Sequence, residues 1–83
     1  MLKGFYSGKF ELEVKGDWYW CDVTSEAIKQ DALKKEDIEF VYDAYSEETG
    51  RANGKILEDI EVAILDYLYT HEELFSWKKQ SNS

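Results

Sequence analysis

An α+β fold is predicted: a small antiparallel sheet of two or three strands at the N-terminus, packed on three to four helices. Three observations predict it. Alternating apolar and charged residues run through the early part of the chain, the signature of a half-buried strand. A helical apolar stripe runs through Lys55–Thr70, KILEDIEVAILDYLYT. The 83 residues are 43% hydrophobic and 16% aromatic, enough apolar surface for one domain over 1–83, near the lower limit for a core without staples.

The long helix is expected to be the central element. Its Ile56, Ile60, Ala63, Ile64, Tyr67 and Leu68 follow i, i+4, i+7, i+8 spacing and fill an arc of roughly 140°. That arc can face a sheet and a second helix at once. Val62, Leu65 and Tyr69 fall on the other side, among Glu58, Asp59 and Asp66. A helix with so thin a polar strip is either buried on several sides or offers part of itself to a partner.

In residues 9–15, Phe10, Leu12 and Val14 alternate with Lys9, Glu11, Glu13 and Lys15. Gly16-Asp17 reads as a two-residue hairpin loop, since Gly supplies the positive φ such loops require. Pairing across it sets Val14 opposite Tyr19, Leu12 opposite Cys21 and Phe10 opposite Val23, which makes one face wholly apolar. The other face carries Trp18, Trp20 and Asp22. A second turn at Ser7-Gly8 would make residues 2–6 an edge strand and bring Leu2 and Tyr6 to the Trp18/Trp20 face.

Thr24 and Ser25 offer N-caps for a helix over 25–35 with Ala27, Ile28, Ala32 and Leu33 inward. Residues 37–45 fit two periods. Ile38, Val41, Tyr42 and Tyr45 suit a helix, and Ile38, Phe40 and Tyr42 suit a strand. The helix is preferred because Asp37 is a good cap. A loop is expected over 46–54. Thr70 and Glu73 have capping-box spacing for a short last helix over 71–79, followed by a frayed tail over 80–83.

The net charge is −8, from 18 acids and 10 bases, and it is unevenly placed. Residues 36–50 contain Glu36, Asp37, Glu39, Asp43, Glu47 and Glu48 and no base. A nucleic-acid binder needs Lys and Arg to displace counterions from phosphate, and Arg51 is the only Arg here. Neither direct nucleic-acid binding nor attraction to an anionic membrane is expected, whereas a basic protein surface is a suitable partner. No signal peptide and no apolar run of about 18 residues is read, so a cytoplasmic location is expected.

Chemistry-bearing patterns are sparse. Cys21 and His71 are the only residues of their kinds and lie in different elements, and a single Cys excludes an internal disulfide and a cysteine-based zinc site. Residues 45–61 have a helix–loop–helix rhythm, but Thr49, Arg51 and Asn53 would fall at calcium-ligand places and Ile60 where a bidentate Glu belongs. Glycine-rich phosphate loops are absent. A non-enzyme is expected, with no catalytic residue, cofactor or metal.

Two surfaces remain as partner-binding candidates. One is acidic: Glu36, Asp37, Glu39, Asp43, Glu47 and Glu48, joined by Glu58, Asp59 and Asp66, which together could mimic phosphates on a basic groove. The other is aromatic: Tyr6, Trp18 and Trp20, of the types that dominate binding hot spots. In size, acidity and aromatic content the chain resembles the small proteins with which phages and mobile elements block host defence enzymes, anti-CRISPR proteins and DNA mimics among them. That resemblance is compositional and implies no residue roles. It implies an acidic inhibitor occupying a basic nucleic-acid-binding surface, in the host cytoplasm if phage-encoded. The alternative is an assembly subunit, a homodimer built on Trp18/Trp20 or on Val62/Leu65/Tyr69.

Overall fold

The structure, a computed structural model, describes residues 1–79; the tail expected to fray lies outside them. Five strands form one antiparallel sheet in the order β4-β3-β2-β1-β5, and a single helix covers one face. The strands are β1 (Leu2–Val14), β2 (Asp17–Lys29), β3 (Ile38–Ser46), β4 (Gly50–Arg51) and β5 (Ser76–Lys79); the helix α1 is Lys55–Thr70. The expectation of a small sheet on three to four helices is therefore overturned. Besides α1, the described residues have only two 3₁₀ turns, Lys35–Asp37 and Glu72–Leu74.

The β1–β2 hairpin sets the shape. Each strand is 13 residues long, and they pair over their whole length. The Cα envelope measures 49 × 19 × 18 Å. The turn is Lys15-Gly16, not Gly16-Asp17: both residues have positive φ, 51° and 86°, as a two-residue loop matched to strand twist requires. Val14 thus faces Asp17, Leu12 faces Tyr19 and Phe10 faces Cys21. This register differs from the expected one by two residues on the partner strand. Because side chains alternate with period two, the apolar face survives the shift.

Ser7-Gly8 makes no turn. β1 runs straight through it, so Leu2 and Tyr6 keep step with Phe10 and lie on the helix side, opposite to Trp18 and Trp20. A side chain at Gly8 would collide with the Tyr6 ring, and one at Gly4 would meet Trp77 at 2.7 Å. These glycines let aromatic rings lie on the backbone.

The helix expected over 25–35 is instead the far half of β2, where Ser25 and Ala27 continue the inward series Tyr19, Cys21, Val23. Their small size leaves room for larger cross-strand neighbours: Ser25 lies between Tyr6 and Phe40, and Ala27 lies beside Ile38. Ser25 Oγ donates to the Glu39 carbonyl at 2.8 Å, so the buried hydroxyl is satisfied. Residues 37–45 follow the strand period, with Ile38, Phe40, Tyr42 and Ala44 inward. The expected last helix is a 3₁₀ turn followed by β5, whose Trp77 faces Gly4 and donates Nε1–H to the Glu72 carbonyl at 2.9 Å.

α1 has the expected bounds and buries Ile60, Ile64 and Leu68 completely against Cys21 and Val23 of the sheet core. Tyr67 stacks on Phe10 at 4.1 Å between centroids, and His71 stacks on Tyr67 at 4.3 Å. Leu65 is partly buried against the core, so the apolar patch left on the outer helix surface is Val62 and Tyr69.

Candidate functional site

The helix covers one side of the sheet only. On the other side the outward residues of β1, β2 and β3 form cross-strand rows: Glu13–Trp18, Glu11–Trp20–Tyr45, Lys9–Asp22–Asp43, Ser7–Thr24–Val41 and Phe5–Glu26–Glu39. Large apolar side chains stand exposed here, with Val41 71% and Trp18 54% accessible. Trp20 is half-buried in the same face.

At one end of this face the sheet forks. The β2–β3 ladder runs from Ala27–Ile38 to Trp20–Tyr45, and the next outward-facing pair in register, Trp18 with Glu47, does not form. β3 instead leaves through a turn fixed by Ser46, whose Oγ accepts the Glu48 and Thr49 N–H groups at 3.2 and 3.5 Å. Across the two-residue turn Val14 and Asp17 bond each other, so the odd residues of β2 bond β1 and the even ones point to β3. The backbone C=O and N–H of Trp18 therefore open into the fork.

The fork holds a shallow cleft of about 360 Å³ lined by Glu11, Gly16, Asp17, Trp18, Trp20, Ser46, Glu47 and Glu48. Four of these are carboxylates and none is a base. Nearby bases are engaged elsewhere. Lys15 pairs with Asp59 on α1 at 3.1 Å, Arg51 pairs with Asp43 at 2.8 Å, and Lys9 lies over the Tyr45 ring at 5.9 Å. Among the described residues Glu11, Asp17, Glu47 and Glu48 form no ion pair.

The acidic set is divided by the fold. Glu39, Asp43, Glu47 and Glu48 lie on the outer face or its β3–β4 tip, Glu36 and Asp37 in the first 3₁₀ turn, and Glu58, Asp59 and Asp66 on the helix layer. Asp66 is paired with Lys35 at 3.4 Å. No single flat surface can engage all nine. The aromatic set is divided too: Trp18 and Trp20 line the fork, while Tyr6 packs under the helix, 6.5 Å from Phe10 and 6.1 Å from Phe75. Glu11 and Asp17 belong to the fork although the charge run that singled out 36–48 passes them by. Their signal in the sequence is their strand partnership with Trp20 and with the hairpin turn.

Titrating groups elsewhere are set for structure. Burial pushes the Cys21 thiol up to about 11, which leaves it protonated and a poor nucleophile at neutral pH. Burial, helped by a 3.0 Å hydrogen bond to Glu61, pushes the Tyr42 hydroxyl up to about 12. Burial also raises the Tyr6 hydroxyl, with a smaller contribution from Tyr67. His71 Nδ1 lies 2.9 Å from the Tyr67 carbonyl and 3.1 Å from Thr70 Oγ1. Among the described residues no cluster of three His, Cys, Asp or Glu side chains is placed to hold a metal ion, and no helix is long and apolar enough to cross a membrane. Comparison with models of protein families, with curated proteins and with solved structures finds no match.

Proposed function

We propose that this chain is a small acidic protein-binding inhibitor, acting in the cytoplasm, that occupies a basic nucleic-acid-binding surface of another protein with the fork end of its open sheet face. One observation carries the reading: exposed Trp18 stands beside four carboxylates that have no basic partner among the described residues. Aromatic anchors within a charged surround are how tight interfaces are built, the aromatic supplying desolvated contact area and the charges steering encounter. A free, buried Cys21 fits a reducing compartment.

The test is capture from a lysate of the source cells on the immobilised chain, at low and at high salt. The expected result is a nucleic-acid-handling protein of basic charge, released by salt or by added duplex DNA. It is lost when Trp18→Ala is combined with Glu47→Gln and Glu48→Gln, and retained when Glu58→Gln and Asp66→Asn change the helix layer instead. A partner indifferent to salt, to nucleic acid and to the fork variants would refute the reading.

A second reading, an assembly subunit, is favoured by the edge of β1. β5 pairs with β1 only from Leu2 to Phe5, and no described strand pairs with residues 7–13 on that edge. Ser7, Lys9, Glu11 and Glu13 turn their backbone groups outward there. Two copies paired antiparallel about Phe10 would set Lys9 of each opposite Glu11 of the other, twice over. Sedimentation at micromolar concentration decides it. A dimer weakened by Lys9→Glu and restored by adding Glu11→Lys supports this arrangement, and a monomer rejects it.

A further inference from the structure

We propose that the fork between the hairpin tip and the β3–β4 turn is a seat for one arginine side chain of a basic protein partner. This deepens the inhibitor reading and rests on it. Three features of the fork select the ligand. Every charged group lining it is an acid, so a cation is favoured and an anion repelled. Trp18 and Trp20 supply indole surfaces, the strongest side-chain partners for a cation over a ring. The Trp18 carbonyl, which has no β3 ladder partner among the described residues, adds a backbone acceptor at the place where the β2–β3 ladder stops.

Arginine matches this set better than lysine. Its guanidinium is flat, stacks on aromatic faces, gives up hydration more readily than an ammonium, and carries five donors for a site that offers acceptors. The cleft, about 360 Å³, is at the lower end of the range for small-molecule pockets, about 300–1,000 Å³. It is also open to solvent. It therefore suits a single side chain presented by a larger surface. The Ser46 bonds to the Glu48 and Thr49 N–H groups hold one wall, and the Lys15-Gly16 turn holds the other, so the seat is formed before the partner arrives.

The isotope-labelled full chain carries its own control. Of its three Trp, Trp18 and Trp20 line the fork, while Trp77 lies on the opposite face, bonded to the Glu72 carbonyl. The indole N–H signals are followed during titration with N-acetyl-arginine amide, N-acetyl-lysine amide and sodium chloride at matched ionic strength. Arginine amide is expected to move the Trp18 and Trp20 signals saturably and to leave Trp77 in place. Trp18→Ala, which removes an exposed side chain, is expected to weaken the Trp20 response about 3- to 10-fold. Glu47→Gln with Glu48→Gln is expected to weaken it several-fold. No movement, movement reproduced by sodium chloride, or equal saturation by lysine amide would overturn the proposal. The capture experiment reports separately. Salt-sensitive capture of a basic protein by a chain that ignores arginine amide would sink the seat and leave the inhibitor reading standing. Saturable arginine binding without capture of any basic protein would uphold the seat and sink the inhibitor reading.

Discussion

On β2, Cys21 and Val23 are fully covered, while Trp18 on the other face of the same strand is 54% exposed and Val41, across on β3, 71%. The inner face meets α1 through Ile60, Ile64 and Leu68 and has no buried side-chain polar atom without a partner among the described residues. Among the described residues no helix covers the outer face, which carries large apolar groups between charges. One-sided sheets commonly alternate apolar-in and polar-out, so the outer polar residues need no explanation. The aromatic ones do, because exposing Trp and Val forgoes the free energy their burial would supply. Packing holds the inner face to its residues, whereas under the proposed function contact outside the chain would hold the outer one.

The sharpest way to test that division is to substitute an apolar side chain on each side. Ile64→Ala, at a fully buried position, is expected to cost about 2–5 kcal/mol through lost transfer energy and the cavity left behind. Val41→Thr on the outer face is expected to change stability by less than about 0.5 kcal/mol. Urea titration of both variants reads the contrast, and equal losses would mean that the outer face is covered in solution. Next in size is Gly8→Ala, whose new methyl group meets the Tyr6 ring packed against Phe10 and Phe75. The strain is expected to cost about 1–3 kcal/mol, seen as a lowered thermal midpoint. A gain in stability would show that Tyr6 moves aside freely.

The inner face also sets an alkaline limit. The folded Cys21 thiol is raised from 9.0 to about 11 and the folded Tyr42 hydroxyl from 10.0 to about 12, in both cases mainly by burial. A raised folded pKa means that the protonated form is favoured by folding, so the stability tied to it is whole below the unfolded pKa and lost as pH climbs to the folded one. Stability measured against pH is expected to fall between about 9 and 12. Cys21→Ala removes the lower part of that fall and Tyr42→Phe the upper part. A profile unchanged in both variants would refute the assignment.

What the sequence made legible follows the same division. Period two put Phe10, Val14, Tyr19, Cys21 and Val23 on one face and Trp18 and Trp20 on the other, and the helical stripe located α1 to the residue. Local pattern failed where a distant neighbour decides. Ser25 and Ala27 look like a helix start until Tyr6, Phe40 and Ile38 are set beside them. Gly8 looks like a turn until the Tyr6 ring is seen to occupy its side-chain space, and β5 exists because Trp77 finds Gly4 at the other end of the chain. The fork is non-local in the same way. Trp18 was readable as outward, but its meeting with Glu47 and Glu48 depends on β3 leaving the ladder after Tyr45.

A substitution expected to leave stability almost untouched separates the two faces most directly. Arg51 and Asp43 form an ion pair at 2.8 Å with side chains 76% and 55% exposed. Exposed pairs of this kind contribute at most about 1 kcal/mol, so Arg51→Ala is expected to leave the unfolding midpoint almost unchanged. Its electrostatic consequence is larger. Removing the chain's one arginine frees Asp43 on the row beside Glu11–Trp20–Tyr45 and makes the open face more negative by one charge. If that face meets a basic partner, association should quicken at low salt, and the gain should fade as ions screen it over about 10 Å at 0.1 M. Rates measured against salt for the chain and for R51A, with the partner recovered by capture, therefore weigh the outer face without disturbing the inner one. An unchanged rate at low salt would mean that the acids of the open face only solvate it, and the argument for a basic partner would have to rest on Trp18 and Trp20 alone.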